Sequence, residues 1–568
     1  MNMNMAEQCF RVLCLTLMIT PAGVSVLKEY QSDKKGDFDM KKIISITLLI
    51  VLIFSGCSLK KGNTPEKVAD SSAQSVDGGE IKLGCVPVDT LNPLMSRHAS
   101  ICDFLELIYE GLFEVMPDHS AVPVLASDYI ASENNTVYTI KLKSVVKFHG
   151  SQPFGSDDVV ATLDYIKMYG GKYASIISNM LSYEAPSDES VVIKLLNPVA
   201  DFINLLDFPI LPAGLAPEDF LEYSSSFVPN GTGMYLFDGK QDYKNIYLKV
   251  NNYWHESDKK PHIEKVNIEI LSDEETVISA FDAGAIDVLT TSWKPASEMN
   301  LTSSEHNVFD TEQNRYTFVG MNPGGAMLDT VSERRELISS IDVKTITQDI
   351  MLGGAVEAYF PLREGVYFNE KNKNEDGDNK KAEKDSSKQE DDKDSKKEED
   401  FVEIKEKNFE NPLYLLYNSE SKTKERLAMA LKQQLESKGY PVTLDPQTYT
   451  NYLSKIAGCA YDLYIGEVSI DNSGNLEFMF GLNRSWQNIC IFSTPELATL
   501  ISNLNRMTDK ESRMVAWENF KKYYSDNAFQ IPLYFTNSSL MVGKRIKGSA
   551  EPNLSSLLAG FENLYIEK

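Results

Sequence analysis

The chain has no excess of positive charge: 56 Lys and Arg stand against 82 Asp and Glu, a formal charge of −26. A nucleic-acid binder neutralises phosphates with a basic surface, so nucleic acid is not expected as a partner. Cysteine is scarce, seven in 568 residues, and no two fall in a CxxC spacing. The six histidines, His98, His119, His149, His255, His262 and His306, show no paired ligand spacing either. Neither a zinc site nor any other direct metal site or cofactor is expected. GxSxG, HExxH and Walker A loops are missing. The one SxxK match, Ser144 to Lys147, lacks its companion motifs and sits in a strand pattern. These absences argue against a secreted hydrolase and against an enzyme of any of these types.

Long apolar runs are missing too. Ile43 to Phe54 is twelve mostly apolar residues, short of the ~20 that span a bilayer. It follows Met40-Lys41-Lys42 and precedes Ser55-Gly56-Cys57, the layout of a secretory signal. Ser55-Gly56-Cys57 resembles a bacterial lipobox, with Phe54 where the pattern has leucine. On that reading residues 40–56 are a lipoprotein signal peptide and acylated Cys57 anchors the protein in the lipid bilayer. Two acyl chains hold a protein stably where one does not. Residues 1–39 do not fit this scheme and read as a spurious extension upstream of a start at Met40. Residues 57–79 are polar and form a flexible tether.

What is present is ordinary globular sequence, long enough for two or three domains. Val137 to Lys143 alternates Tyr138, Ile140 and Leu142 against Thr139, Lys141 and Lys143, a half-buried strand. Ser156 is placed to cap a helix carrying Val159, Val160, Leu163 and Ile166. Further strands are expected at 81–86, 191–195, 208–212, 246–254, 266–271, 286–289 and 316–322. From 412 onwards the pattern reads strand, helix, strand, helix, strand: 413–417, 424–438, 441–444, 449–457 and 461–465. That alternation implies parallel pairing with crossover helices. Residues 369–400 differ in kind. Among them are nine Lys, thirteen acidic residues and a single apolar one, Ala382. Too little surface can be buried there to offset ordering entropy, so 369–408 is expected to be a disordered charged insertion. Cys85 with Cys102, or Cys459 with Cys490, can pair outside the cytoplasm, but isolated thiols are the simpler reading.

One ordered series of segments carries a resemblance. Leu91-Asn92-Pro93-Leu94 is followed by Leu107 to Val115, Pro123 to Ala126, Val146 to Gly150, Pro153-Phe154 and Ser156 to Val160. Later come Gly231-Thr232-Gly233, whose glycines are expected to form a tight turn, then Tyr253-Trp254, Ala283 to Asp287 and Glu333 to Asp342. This succession resembles the extracellular solute-binding proteins of ABC importers, the peptide and nickel group known as family 5. The resemblance implies an α/β, two-lobed periplasmic-binding-protein-like fold (type II, large peptide-binding cluster) with a hinge between the lobes. Residues 80–292 and 530–568 would form lobe I, and 293–529 lobe II.

It also implies where a ligand sits. In the family a glycine-tryptophan segment contacts the ligand backbone and a nearby aspartate binds a peptide amino group. Here Gly466, Glu467, Val468 and Asp471 match those positions, with Glu467 in place of the tryptophan and the aspartate one residue late. In open α/β sheets ligands bind beyond the carboxyl ends of strands, which is where the 461–465 strand would deliver these residues. The implied function is a monomeric receptor on the extracytoplasmic face of a bacterial membrane. It would capture an oligopeptide or similar solute and deliver it to ABC permease subunits. A nickel-chelate binder and a peptide sensor without transport share the same fold.

Overall fold

A computed structural model describes residues 77–221, 227–241, 244–291, 299, 301–302, 306–322, 328–363, 367, 411–480 and 494–567. The leader, Cys57, most of the tether and the insertion 369–408 lie outside the described residues.

An eleven-stranded sheet runs through both lobes. We number ten of its strands in chain order: β1 Glu80–Cys85, β2 Tyr235–Gln241, β3 Asn245–Val250, β4 Lys265–Ile270, β5 Val288–Thr290, β6 His306–Met321, β7 Leu413–Asn418, β8 Val442–Gln447, β9 Leu463–Ser469 and β10 Gln530–Gly543. Their order is β8-β7-β9-β6-β10-β5-β1-β4-β3-β2, and the short strand Ala355–Glu357 pairs with β10. β7 pairs in parallel with β8 and β9, as the strand–helix alternation implies. The helices between them are Lys422–Ser437, which buries Leu427, Leu431 and Leu435, and Tyr449–Ala457.

Side-chain alternation sorts the core. In the second lobe Leu463 and Ile465 of β9 join Val319 and Met321 on one face, while Tyr464 joins Tyr316 and Phe318 on the other. In the first lobe one continuous core links β1, β3 and β4 to a separate four-stranded sheet built from Ala126–Ala131, Val137–Leu142, Ser190–Leu195 and Met180–Ser187. Tyr138, Ile140 and Leu142 are buried there. Among the described residues no helix is long and apolar enough to cross a membrane.

The lobes are joined by β6 and β10, sixteen and fourteen residues long. In β10 the side chains of Ile531, Leu533, Tyr534 and Phe535 belong to the second-lobe cores, while Leu540 and Val542 belong to the first. The change of core along β10 thus falls after Phe535. β6 breaks register at the same level: Glu312 pairs with Asn537 and Arg315 with Thr536, leaving Gln313 and Asn314 as a bulge. Such a bulge bends the strand and re-aims side chains.

Other expectations are corrected. Ser156 is the first helical residue, not the cap. Gly155 precedes the helix in extended geometry, and its N–H donates to Asp158 Oδ2 at 2.9 Å. Residues 208–212 form no strand, because Pro209 and Pro212 lack the amide donors a ladder needs. The Gly231-Thr232-Gly233 glycines serve close approach rather than turn geometry. A Cβ on Gly231 would stand 1.9 Å from Ile108 O, and Gly233 N donates to that same oxygen. Cys85, Cys102 and Cys459 are free thiols, and burial pushes the Cys85 thiol up to about 12. Cys490 lies outside the described residues.

Candidate functional site

The register of β9 decides which of its backbone groups are available. In an antiparallel pair, residues exchanging both hydrogen bonds alternate with residues pointing the other way. Ile470 N donates to Asn314 O at 3.0 Å, so the pairs Val468–Tyr316 and Gly466–Phe318 turn their backbone groups onto β6. Glu467 and Ser469 point to the opposite edge, where β7 pairs only with Leu463 and Tyr464. Gly466 and Val468 therefore do not offer the backbone groups expected of them. Gly466 is a packing residue under Phe318, and the Glu467 carboxylate lies 3.8 Å from Lys424. The strand runs to Ser469 rather than ending at Ile465. Its carboxyl end nonetheless delivers Ser469, Ile470 and Asp471 to a cavity of about 460 Å³ between the lobes.

Asp471 opens a turn closed by its own side chain. Its Oδ1 accepts from Ser473 N at 3.0 Å, Ser473 Oγ at 2.6 Å and Asn475 N at 3.2 Å. Aspartate is suited to this role because its short carboxylate reaches the backbone two residues on. The Gly474 backbone adds to this hold on the carboxyl. Asp471 keeps an accessible face toward the cavity while protein walls in its carboxyl group. That desolvation raises the carboxyl above the usual range against the pull of the Ser473 and Asn475 hydrogen bonds.

The facing wall comes from the first lobe. A short 3-10 turn, Phe202–Leu205, places Phe202, Asn204 and Asp207 on the cavity, with Lys172 beside them. Asp207 Oδ2 accepts from Ser555 Oγ and from Asn472 Nδ2, both at 2.9 Å, the latter bond crossing between lobes. Burial pushes the Asp207 carboxyl up to about 6 despite these two donors. The bulge residues Gln313 and Asn314, with Arg315, complete the lining. The cavity thus meets a ligand with carboxylates on both walls and two cations, Lys172 and Arg315. Its volume lies within the range of small-molecule sites, ~300–1,000 Å³.

Sequence reasoning reached Asp471 and missed Asp207, Asn204, Lys172 and Arg315. One signal was available: Asp207 is a lone acid inside the otherwise apolar run Leu205 to Leu211. A second cavity of about 530 Å³ adjoins within the first lobe and shares Lys172, Tyr173, Asp207 and Ser555. On its wall Glu110 accepts from Trp254 Nε1 at 2.9 Å and lies 3.0 Å from His255 Nε2. Burial alone would raise the Glu110 carboxyl, but these partners hold it below its ordinary value. Two motifs of the sequence resemblance, Tyr109-Glu110-Gly111 and Tyr253-Trp254, therefore meet as scaffold.

Comparison with known proteins agrees with this architecture. Residues 120–488 match the family model for bacterial extracellular solute-binding proteins, family 5, middle region. The oligopeptide-binding protein AppA of Bacillus subtilis is 22% identical over 89% of this chain and 95% of its own. Among solved structures, the ABC transporter substrate-binding protein CtaP of Listeria monocytogenes superposes with a TM-score of 0.69 at 22% identity, covering 87% of this chain and all of that one. NikZ of Campylobacter jejuni, solved with Ni(L-His), gives 0.63 at 17% identity, covering 86% and 99%. The family match spans more than half the chain, and the neighbours share its two-lobed α/β fold. The chain belongs to the bacterial extracellular solute-binding proteins of family 5, a family of binding receptors and not of enzymes.

Proposed function

We propose that this receptor captures a short peptide, or a solute of similar zwitterionic character, between its lobes and hands it to the membrane permease of an ABC importer. The observation that carries this reading is the charge layout of the inter-lobe cavity. Asp471 brings a carboxylate to it from the second lobe, while Lys172 and Arg315 supply positive charge within the same lining. An ammonium group pairs with the first and a carboxylate with the second, in a site where desolvation strengthens both. Glu467 and Ser469, at the open edge of β9, have backbone groups directed away from β6, and Ser469 lies on the cavity itself. Main-chain pairing there would hold an extended ligand with little demand on its side chains. AppA's description as an oligopeptide-binding protein supports the same class. Acylated Cys57 would keep the monomeric receptor on the outer face of the membrane, beside its permease.

Native mass spectrometry of protein produced without its leader tests the ligand class. A ladder of co-purifying masses matching short peptides is expected. A single discrete non-peptide mass, or bound nickel, would overturn the peptide reading and place the protein with the chelate-binding members.

A further inference from the structure

The lobes also touch each other directly, beside the cavity. Arg513, on the second-lobe helix Lys510–Asn527, is 6% exposed. Its Nη1 meets the carboxylate of Asp201 in the first lobe, and its Nη2 donates to Ser473 O at 3.0 Å. The same guanidinium lies over the ring of Tyr367, 6.0 Å from its centre, and that ring also packs against His119 of the first lobe, 3.9 Å between ring centres. Asp201 holds a left-handed backbone, φ 49°, at the head of the turn that carries Asn204. A non-glycine residue in that region needs its surroundings to keep it there. Three more bonds cross nearby: Ala200 N to Asn505 O at 2.8 Å, Asn204 Nδ2 to Asn472 O at 3.3 Å, and Asn472 Nδ2 to Asp207.

Two features give these contacts a function. They join protein groups only, so they favour the closed arrangement whether or not a ligand is present. Two of them end on Asn472, and Arg513 also holds Ser473, so closing the lobes and seating the Asp471 turn are one event. We infer that Arg513 is a positioning residue, a clasp that draws the lobes together through Asp201 and fixes the Asp471 turn through Ser473. The first half stands on geometry alone; the link to ligand rests on the role proposed for Asp471. A ligand that binds the closed form gains affinity in proportion to how much of the free protein is already closed.

Small-angle X-ray scattering of the full-length protein, refolded after denaturing purification so that no ligand is carried over, tests the clasp. Arg513→Gln and Asp201→Asn are each expected to increase the radius of gyration, and the double variant to add nothing further. Binding of a tripeptide library with free termini should weaken about five- to tenfold in all three. Scattering identical to wild type, or additive effects in the double variant, would overturn the clasp. Should Arg513→Gln fail to fold, Asp201→Asn carries the test, since its side chain is 38% exposed. Asp471→Asn separates the two readings, because it should leave the free protein's scattering unchanged. If it also leaves tripeptide binding unchanged while Arg513→Gln opens the protein, the ligand assignment fails and the clasp stands.

Discussion

On the second-lobe wall of the cavity, Asp471 is held by groups two and four residues along the chain, the amides of Ser473 and Asn475. On the first-lobe wall, Asp207 is held by Ser555 and Asn472, 348 and 265 positions away. Both are carboxylates on one cavity, yet one is organised by its own turn and the other by the whole fold. The local one is carried by its turn to the second-lobe wall of the cavity. The distant one uses its acceptor to stitch three segments together and pays for burial in its titration. The contrast fits the binding role proposed for Asp471 and gives Asp207 a part in the architecture.

Removing charge without removing the hydrogen-bonding shape breaks the comparison most sharply at Asp471. Asparagine retains an oxygen for the Ser473 and Asn475 amides, so Asp471→Asn should melt within about 0.5 kcal/mol of wild type. Loss of a charge paired with a buried ammonium costs ~3–5 kcal/mol, at least a hundredfold in affinity. Calorimetric titration with a free-amine tripeptide that shows unchanged affinity would remove Asp471 from the site.

At Asp207 the same substitution should act on stability, with opposite sign. Burial pushes its carboxyl up to about 6 in the folded protein, against 3.8 for the ordinary group. The native state therefore binds the proton more tightly, and stability falls as pH rises from about 4 through 6. Asp207→Asn keeps an acceptor for Ser555 and Asn472 and removes the buried charge. It should stabilise the protein at pH 7 by up to about 3 kcal/mol. The advantage should shrink through pH 6 and vanish below pH 4, where both side chains are neutral. Thermal melts across this range check it; a constant difference at every pH would mean that charge is not the cause.

The same contrast explains what could be read in the sequence. Local signals carried well: the alternation of Tyr138, Ile140 and Leu142, and the helix at 424–438 with its leucine stripe 427-431-435. The ordered segments of the family resemblance gave the fold. Features set by distant neighbours did not show. Gly466 looked like the point where a strand gives way to a binding loop, yet the strand runs on to Ser469, and the reason for glycine is Phe318, 148 positions earlier. Gly231 was read as a turn, and its partner is Ile108 O. Asp207 had only its isolation among apolar residues to mark it, since Ser555 and Asn472 arrive through folding.

Gly466 gives the finest test, because it was assigned to the ligand and the structure assigns it to packing. A Cβ there would lie 2.5 Å from Phe318 Cζ and within 2.9 Å of two further ring atoms. Phe318 is fully buried, stacked on Tyr316 at 5.2 Å and edge-on to Tyr464 at 5.8 Å, so the ring has little room to retreat. Overpacking of this kind costs ~1–3 kcal/mol, and Gly466→Ala should lose about that much stability. Phe318→Leu placed beside it should recover part of the loss, as contacting sites do in double-mutant cycles. Tripeptide affinity measured well below the melting temperature should stay within about twofold of wild type, since the Gly466 backbone is turned onto β6 and its missing side chain onto Phe318. The opposite pattern, affinity lost at full stability, would return Gly466 to the ligand and require β9 to present a different edge to the cavity.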